Sequence, residues 1–310
     1  METIPRSYPL SLVLVLALLA SSPASAPAGE AALYGQPVLI LDPDKHTAMI
    51  TGTDVSATGA YAVTGSYDKT VRIWAAAQKG ELLRTIRLPQ GPGHVGKVYA
   101  SAISPDGALI AAGGYIGGGS QPEQVYLFQR DTGHLVRRLE GLPSSVTHLV
   151  FSPNSQYLAV MLSGRGGLRV YDRKADWREV ARDAPYGDSS YGAAFAQDGR
   201  LATTGRDGTL RLYDQAFRRV ATAKVTAGAL PLGIVFAPAG DQLAVGYVDT
   251  TAVSLFDGHT LSPRPGPDTR GLNSGALPIV AWSADGTRLY AGGSYRRAGT
   301  FPVSRPTAVW

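Results

Sequence analysis

Five histidines are the first residues to test for chemistry: His46, His94, His134, His148 and His259. No two fall at i, i+2 or i, i+4, and none belongs to an H-E-x-x-H arrangement. Local His pairs of the kind that hold zinc are therefore missing. Cysteine is absent, which excludes disulfides and thiolate metal sites. The stretch Gly113-Gly114-Tyr115-Ile116-Gly117-Gly118-Gly119-Ser120 invites a phosphate-loop reading. It has no Gly-Lys-Ser/Thr ending and no helix after it, so it reads as a long turn. A G-x-S-x-G nucleophile elbow is also missing. Ser, His and Asp are plentiful, but a triad is defined by geometry, not by counts. No metal site and no cofactor is expected from these patterns, and a binding role is favoured over an enzyme.

The elements that would position a site come from a repeat. One tetrapeptide slot recurs at spacings of 41 to 48 residues, beginning at Ser56, Ser104, Ser152, Ala196, Ala237 and Ser283. Ser104-Pro105-Asp106-Gly107 is its fullest form. Pro presets φ, Asp accepts local backbone hydrogen bonds, and Gly takes positive φ, which is hairpin-turn chemistry. An apolar residue precedes each slot and a short apolar run follows it. A second turn comes next, as in Tyr67-Asp68-Lys69-Thr70 and Arg206-Asp207-Gly208-Thr209. Alternating strands follow, such as Val71-Arg72-Ile73-Trp74 and Leu210-Arg211-Leu212-Tyr213, with apolar residues on one face and Arg on the other. A fourth strand completes most units. One four-stranded sheet cannot bury both faces, but sheets stacked round an axis can. No convincing amphipathic helix interrupts the pattern. The expected fold class is all-β, a β-propeller.

Residues 37 to 310 resemble the WD40-repeat family. An aromatic-Asp ending on the third strand is the namesake dipeptide in degraded form, at Asp172, Asp214 and Asp257. The first repeat matches best: His46, Thr64, Asp68 and Trp74 stand where the family has its structural tetrad. The resemblance implies that these four hydrogen-bond in series, a favourable arrangement only when every member is satisfied. Elsewhere Phe128, Tyr171, Tyr213 and Phe256 replace Trp. The fourth repeat keeps Thr203 and Asp207 without a His, so those blades are expected to rely on apolar packing. Six repeats are visible, five complete and the sixth cut short at Trp310. A lone strand at residues 36–42 precedes them. Either residues 38–41 complete a closed six-bladed ring, or the chain is a truncated form of a seven-bladed one. The end at Trp310 favours truncation. The phrasing around residues 37–46 is similar to exported bacterial WD40 proteins. Some of these carry a caspase-like domain, and none fits in this chain.

In that family the turn after each second strand lies on one rim, near the central channel. Here those turns carry Tyr67, Tyr115, Arg165, Arg206, Tyr247 and Tyr295. Tyr and Arg supply contact area with a hydrogen-bonding tip, so the rim is the expected partner-binding surface. The expected function is a non-catalytic scaffold for a protein or peptide partner. The competing readings are a propeller enzyme with a channel-mouth site, of lactonase or quinoprotein type, and a fragment of a longer protein.

Residues 1–28 read as a signal peptide and 29–310 as the propeller. Arg6 is followed by an apolar run over residues 10–20, then by Ala26-Pro27-Ala28. That run is too short to span a bilayer of ~30 Å. A periplasmic or secreted location in a bacterium follows, with cleavage after Ala28 favoured over Ala26. The net charge is +5, and the 310 residues are 44% hydrophobic and 17% charged. Basic residues are interleaved with Asp and Glu, which suits a mixed solvated surface better than a nucleic-acid stripe.

Overall fold

The computed structural model describes residues 44–118, 121–184, 186–297 and 308–309. The expected leader, the lone strand at 36–42 and Trp310 lie outside them. Antiparallel hairpins follow one another along the chain. The first blade holds β1 (Ile50–Val55), β2 (Tyr61–Ser66), β3 (Thr70–Ala75) and β4 (Glu81–Arg87). The second holds β5 (Lys97–Ile103), β6 (Leu109–Tyr115), β7 (Glu123–Gln129) and β8 (Leu135–Leu142). In the third are β9 (Val146–Phe151), β10 (Tyr157–Leu162), β11 (Gly167–Asp172) and β12 (Arg178–Asp183). In the fourth are β13 (Ser190–Phe195), β14 (Leu201–Gly205), β15 (Thr209–Tyr213) and β16 (Arg219–Lys224). The fifth has β17 (Pro231–Phe236), β18 (Gln242–Tyr247), β19 (Val253–Asp257) and β20 (Pro263–Arg264). Last come β21 (Leu272–Trp282), β22 (Leu289–Arg297) and β23 (Ala308–Val309).

Six repeats thus give five hydrogen-bonded sheets, because the sixth unit is joined to the fifth. A single pair, Tyr247 with Leu277, links β18 to β21 and makes a sheet of seven strands. The long β21 causes this: its early part runs beside β18, and its later part pairs with β22.

The recurring slot builds the first hairpin of each unit. In the second blade the Ser104 hydroxyl donates to Asp106, and Asp106 Oδ1 accepts from the Ala108 N–H at 2.9 Å. Ser104 Oγ accepts from the Leu109 N–H at 2.9 Å, while Gly107 takes φ +69°. The third and sixth units repeat these bonds through Ser152 with Asn154 and Ser283 with Asp285.

Each apolar cluster among the described residues bridges two consecutive units. Val63, Val71 and Ile73 of the first pack with Val98, Ile110 and Tyr126 of the second. Leu127 and Leu139 pack with Leu149, Phe151 and Leu158 of the third. The series continues from third to fourth, fourth to fifth, and fifth to β21–β22. The central strands are therefore buried on both faces. Even the arginines of the alternating third strands are covered, with Arg72 2%, Arg169 8% and Arg211 6% exposed. Burial of such charges requires partners. Arg72 donates to Thr85 Oγ1, Arg169 to the Gly166 and Leu168 carbonyls, and Arg211 to Asp183. Threonine hydroxyls stitch neighbouring blades: Thr51 donates to the Val98 carbonyl, and Thr204 to that of Leu232.

In the first blade a polar chain ties the turn entering the sheet to its second and third strands. Trp74 Nε1–H donates to Thr64 Oγ1 at 2.8 Å. Thr64 Oγ1 and His46 Nε2 are 2.7 Å apart, and His46 Nδ1 and Asp68 Oδ2 are 2.8 Å apart. Every donor finds an acceptor when Thr64 donates to Nε2 and Nδ1–H donates to Asp68. Asp68 also accepts from the Thr47 and Thr70 N–H groups and the Thr70 hydroxyl. Burial works to raise the Asp68 pKa, but the bonds from Thr70, His46 and Thr47 outweigh it and hold it below 3.8.

The fourth blade corrects the expectation of purely apolar packing. Tyr186 stands where His46 stands in the first. Its hydroxyl lies 2.7 Å from Thr203 Oγ1 and 3.0 Å from the Tyr213 hydroxyl. Tyr213 in turn donates to Asp183 Oδ2 at 2.7 Å. The Arg211 guanidinium covers the Tyr186 ring, 3.6 Å from its centroid. Asp207 caps the turn by accepting from the Gly187 and Thr209 N–H groups, as Asp68 does from Thr47 and Thr70. Asp183 belongs to β12, so this network also binds the third blade to the fourth. The other Trp replacements behave as expected: Phe128 7%, Tyr171 6% and Phe256 3% exposed, all within apolar clusters.

Two outcomes follow. His46→Ala should lower unfolding free energy by about 1–3 kcal/mol, by stranding buried partners. Loss of the His46 bond should also bring the Asp68 carboxyl back toward its ordinary value, so the deficit should be larger at pH 7 than at pH 3. A depressed carboxylate stabilises above its unfolded pKa, and that stability fades as pH falls through the lower folded value. Urea denaturation of both proteins at pH 7 and pH 3 checks this; a pH-independent difference would contradict it. In the fourth blade, Tyr186→Phe and Thr203→Val should each destabilise and be non-additive in the double variant, with a coupling of about 0.5–3 kcal/mol. Strictly additive values would remove the proposed network.

Candidate functional site: the channel mouth

The innermost strands of all six units face one central cavity of about 720 Å³. β1, β5, β9, β13, β17 and β21 each contribute wall residues, and the β2–β3 turn adds Tyr67. This convergence follows from the packing of neighbours, which leaves only the first strand of each unit at the axis. Hydroxyls dominate the polar part of the wall: Tyr67, Tyr99, Tyr191, Ser101, Thr147 and Ser163. Leu232, Ile234 and Ile279 supply an apolar side. A wall of aromatic rings, hydroxyls and aliphatic carbons suits a ligand with mixed polarity.

One carboxyl and one imidazole lie in the wall, at Asp54 and His148. Burial pushes the Asp54 carboxyl up to about 6, against the pull of backbone hydrogen bonds from Ile103 and Val55. Its Oδ2 accepts from the Ile103 N–H at 3.0 Å and its Oδ1 from the Val55 N–H at 2.8 Å. Burial pushes His148 down to about 4, opposed by a hydrogen bond to the Ala193 backbone. His148 is therefore neutral at pH 7. Both groups are engaged with the backbone of a neighbouring inner strand, β5 for Asp54 and β13 for His148. They act as ties between blades. Among the described residues, no three His, Cys, Asp or Glu side chains gather into a group that could hold a metal ion.

The rim expected from the sequence does not form one surface. Tyr67 lines the cavity, half-buried, with its ring edge-on to Tyr99 at 5.5 Å and 61°. Lys97 Nζ lies 4.5 Å from the Tyr67 ring centroid. Tyr115, at the end of β6, pairs across the ladder with Lys97 and is close enough to Tyr99 to help raise its pKa, after burial and Tyr67. Arg165 and Arg206 are exposed on their turns and are not among the residues that line the cavity. Tyr247 is the correction: it is fully buried, and its hydroxyl donates to Ser254 Oγ at 2.7 Å. It fills the seam between the fourth and fifth blades, so it offers nothing to a partner. The Tyr295 backbone lies in β22 opposite Gly275, and its side chain is outside the described residues.

Tyr99, His148 and Tyr191 were missed. They stand four or five residues before their slots, near the start of the first strand. An aromatic at that offset in three repeats was the available signal. It was hidden because turn residues drew the reading, whereas the cavity is built from strands.

Comparison with known proteins agrees with this architecture. Residues 35–75, 80–115 and 187–214 match the family described as "WD domain, G-beta repeat". WD repeat-containing protein VIP3 of Arabidopsis thaliana is 30% identical over 169 residues, which is 50% of this chain and 49% of that protein. Small ribosomal subunit protein RACK1 of Caenorhabditis elegans is 27% identical over 166 residues, 50% of this chain and 46% of that one. Human transducin beta-like protein 2 is 28% identical over 146 residues, 46% of this chain and 30% of that one. The chain thus spans about half the length, or less, of these relatives. Matched repeats at three places, and sheets packed face to face round one cavity, support a β-propeller of the WD40-repeat type.

Proposed function

We propose that the chain is a non-catalytic scaffold that holds a protein or peptide partner at the mouth of its central channel. The observation that carries this reading is that Tyr67, Tyr99 and Tyr191 all line the one cavity. Tyrosines supply rigid contact area with a polar tip, the combination that dominates protein interfaces. The wall's carboxylate and imidazole are both tied to backbone, which favours binding over chemistry. Nucleic acid is not among the partners on this reading. Many surface cations are already matched: Arg173 with Asp106, Arg200 with Asp198, Arg218 with Asp214, Arg264 with Asp257, and Arg270 with Asp268. No helix of the described residues is long and apolar enough to cross a membrane.

The setting we favour is the bacterial envelope, supported by the apolar run at residues 10–20 and the Ala-x-Ala step after it. The intact mass of the chain purified from its host should correspond to a start at Gly29. A chain beginning at Met1 would speak against export.

Site-specific photo-crosslinking tests the binding face. Benzoylphenylalanine placed at Tyr99 or Tyr191 should give a discrete protein adduct in living cells. The same group at Val220, exposed on the outer strand β16, should not. Equal labelling at all three positions would sink the channel-mouth reading.

A further inference from the structure

The first and fourth blades use the same turn between their second and third strands, but differ at two residues, Tyr67 against Arg206 and Lys69 against Gly208. In the fourth blade Gly208 takes φ +75°. In the first, Lys69 occupies the same place with φ +69°. The left-handed region is comfortable for glycine and costly for a residue with a Cβ. The turn itself does not require a lysine. Asp68 and Asp207 perform the same capping, accepting at 3.0 Å from the Thr70 and Thr209 N–H groups. What the strained residue adds is an ammonium group beside the channel mouth.

That ammonium is held in place, because Lys69 Nζ donates to the Gly91 carbonyl at 2.6 Å. A second cation stands near it. The Lys69 stem packs beside Gly96, the residue before Lys97, where an added Cβ would meet Lys69 Cδ at 3.3 Å; burial, and then the charge of Lys97, push the Lys69 pKa down. Lys97 Nζ sits over the Tyr67 ring, and Tyr67 meets Tyr99 edge-on. Among the described residues, neither lysine has a carboxylate within ion-pair distance. Glu123 is an acid whose charge is felt at Tyr99. Its Oε2 accepts from the Ile116 and Gly117 N–H groups at 2.7 and 2.9 Å, and it is only 5% exposed. Two like charges held near each other without a carboxylate in ion-pair contact form a place where an anion is favoured.

We infer that Lys69 and Lys97 hold the carboxylate of an acidic peptide segment, while Tyr67 and Tyr99 cover the aliphatic stem beside it. This deepens the partner-binding reading above and rests on it. A carboxylate suits the corner better than a phosphate. The cations are two point charges without the fork of an arginine, and the buried Glu123 weakens the field that a dianion would need.

Fluorescence anisotropy with fluorescein-labelled octaglutamate and octaglutamine tests the inference. Wild type should bind octaglutamate about 10-fold more tightly, with an advantage that shrinks as salt rises. Lys69→Gly is the decisive variant, because it relieves the positive-φ strain while removing the cation. It should melt no lower than wild type and still bind octaglutamate about 5-fold or more weakly, as should Lys97→Gln. Arg218→Gln, an exposed cation elsewhere, should bind as wild type does. Equal affinity for the two peptides overturns the inference. So does unchanged binding by Lys69→Gly, or an equal loss in Arg218→Gln. Selection from a random peptide library separates this from the broader reading. Enriched peptides that need Tyr99 but lack acidic residues would remove the acidic preference and leave the binding face. No enrichment at all would remove both.

Discussion

A four-stranded sheet with apolar residues and packed arginines has two faces to cover, and a single neighbour covers only one. Every described sheet between the first and the last solves this by lying between two others. The cost of exposing a face is large: each fully buried Val, Leu or Ile contributes about 1.5–3 kcal/mol. Val63, Ile110, Leu127, Leu158, Leu210 and Leu243 are all essentially inaccessible to water. Face-to-face stacking in series then leaves the first strand of each unit on the inside. The central cavity and its wall follow from that arrangement, and so does the place of every residue proposed to meet a partner.

Polar groups caught within the stack must be satisfied, and the chain does this differently from blade to blade. The first blade uses His46, Thr64, Asp68 and Trp74 in series. The fourth reaches the same end with Tyr186, Thr203 and Tyr213, terminating on Asp183 of the preceding blade. A tyrosine can do the work of the histidine because a hydroxyl both donates and accepts. Its larger ring also provides a platform for Arg211. Where the aromatic is Phe128 or Phe256, no hydrogen-bonding tip exists and the seam is apolar. The fold thus tolerates loss of the repeat's signature residues provided each seam is dry or fully paired.

The slots, the alternating strands and the first-blade polar residues could be read along the chain because each is a local pattern. Hairpin chemistry acts over four residues, and strand alternation over two. Tyr247 shows where such reading stops. Read along the chain, it looks like the counterpart of Tyr67, the large residue of the turn after a second strand. Yet Tyr67 faces the cavity, and Tyr247 is sealed among Leu210, Ile234 and Phe256. The difference is one position: Tyr67 lies in the turn after β2, whereas Tyr247 is the last residue of β18 and Val248 takes the turn place, a register that the spacing of the repeats does not record. Lys69 is the converse case: its residue type is visible in the sequence, but its positive φ and its nearness to Lys97 are not.

By itself the sequence determined the unit: its strands, its turns, the number of repeats and the all-β class. These depend on short-range backbone preferences and on a period of two. The tertiary structure decided which residues share a wall. Tyr67, Tyr99 and Tyr191, distant along the chain, line one cavity only because packing in series brings the inner strands round one axis. It also decided that Tyr186 would stand in for a histidine and that Tyr247 would be core. Those outcomes depend on contacts between blades, and a contact between blades has no periodicity that one strand can display.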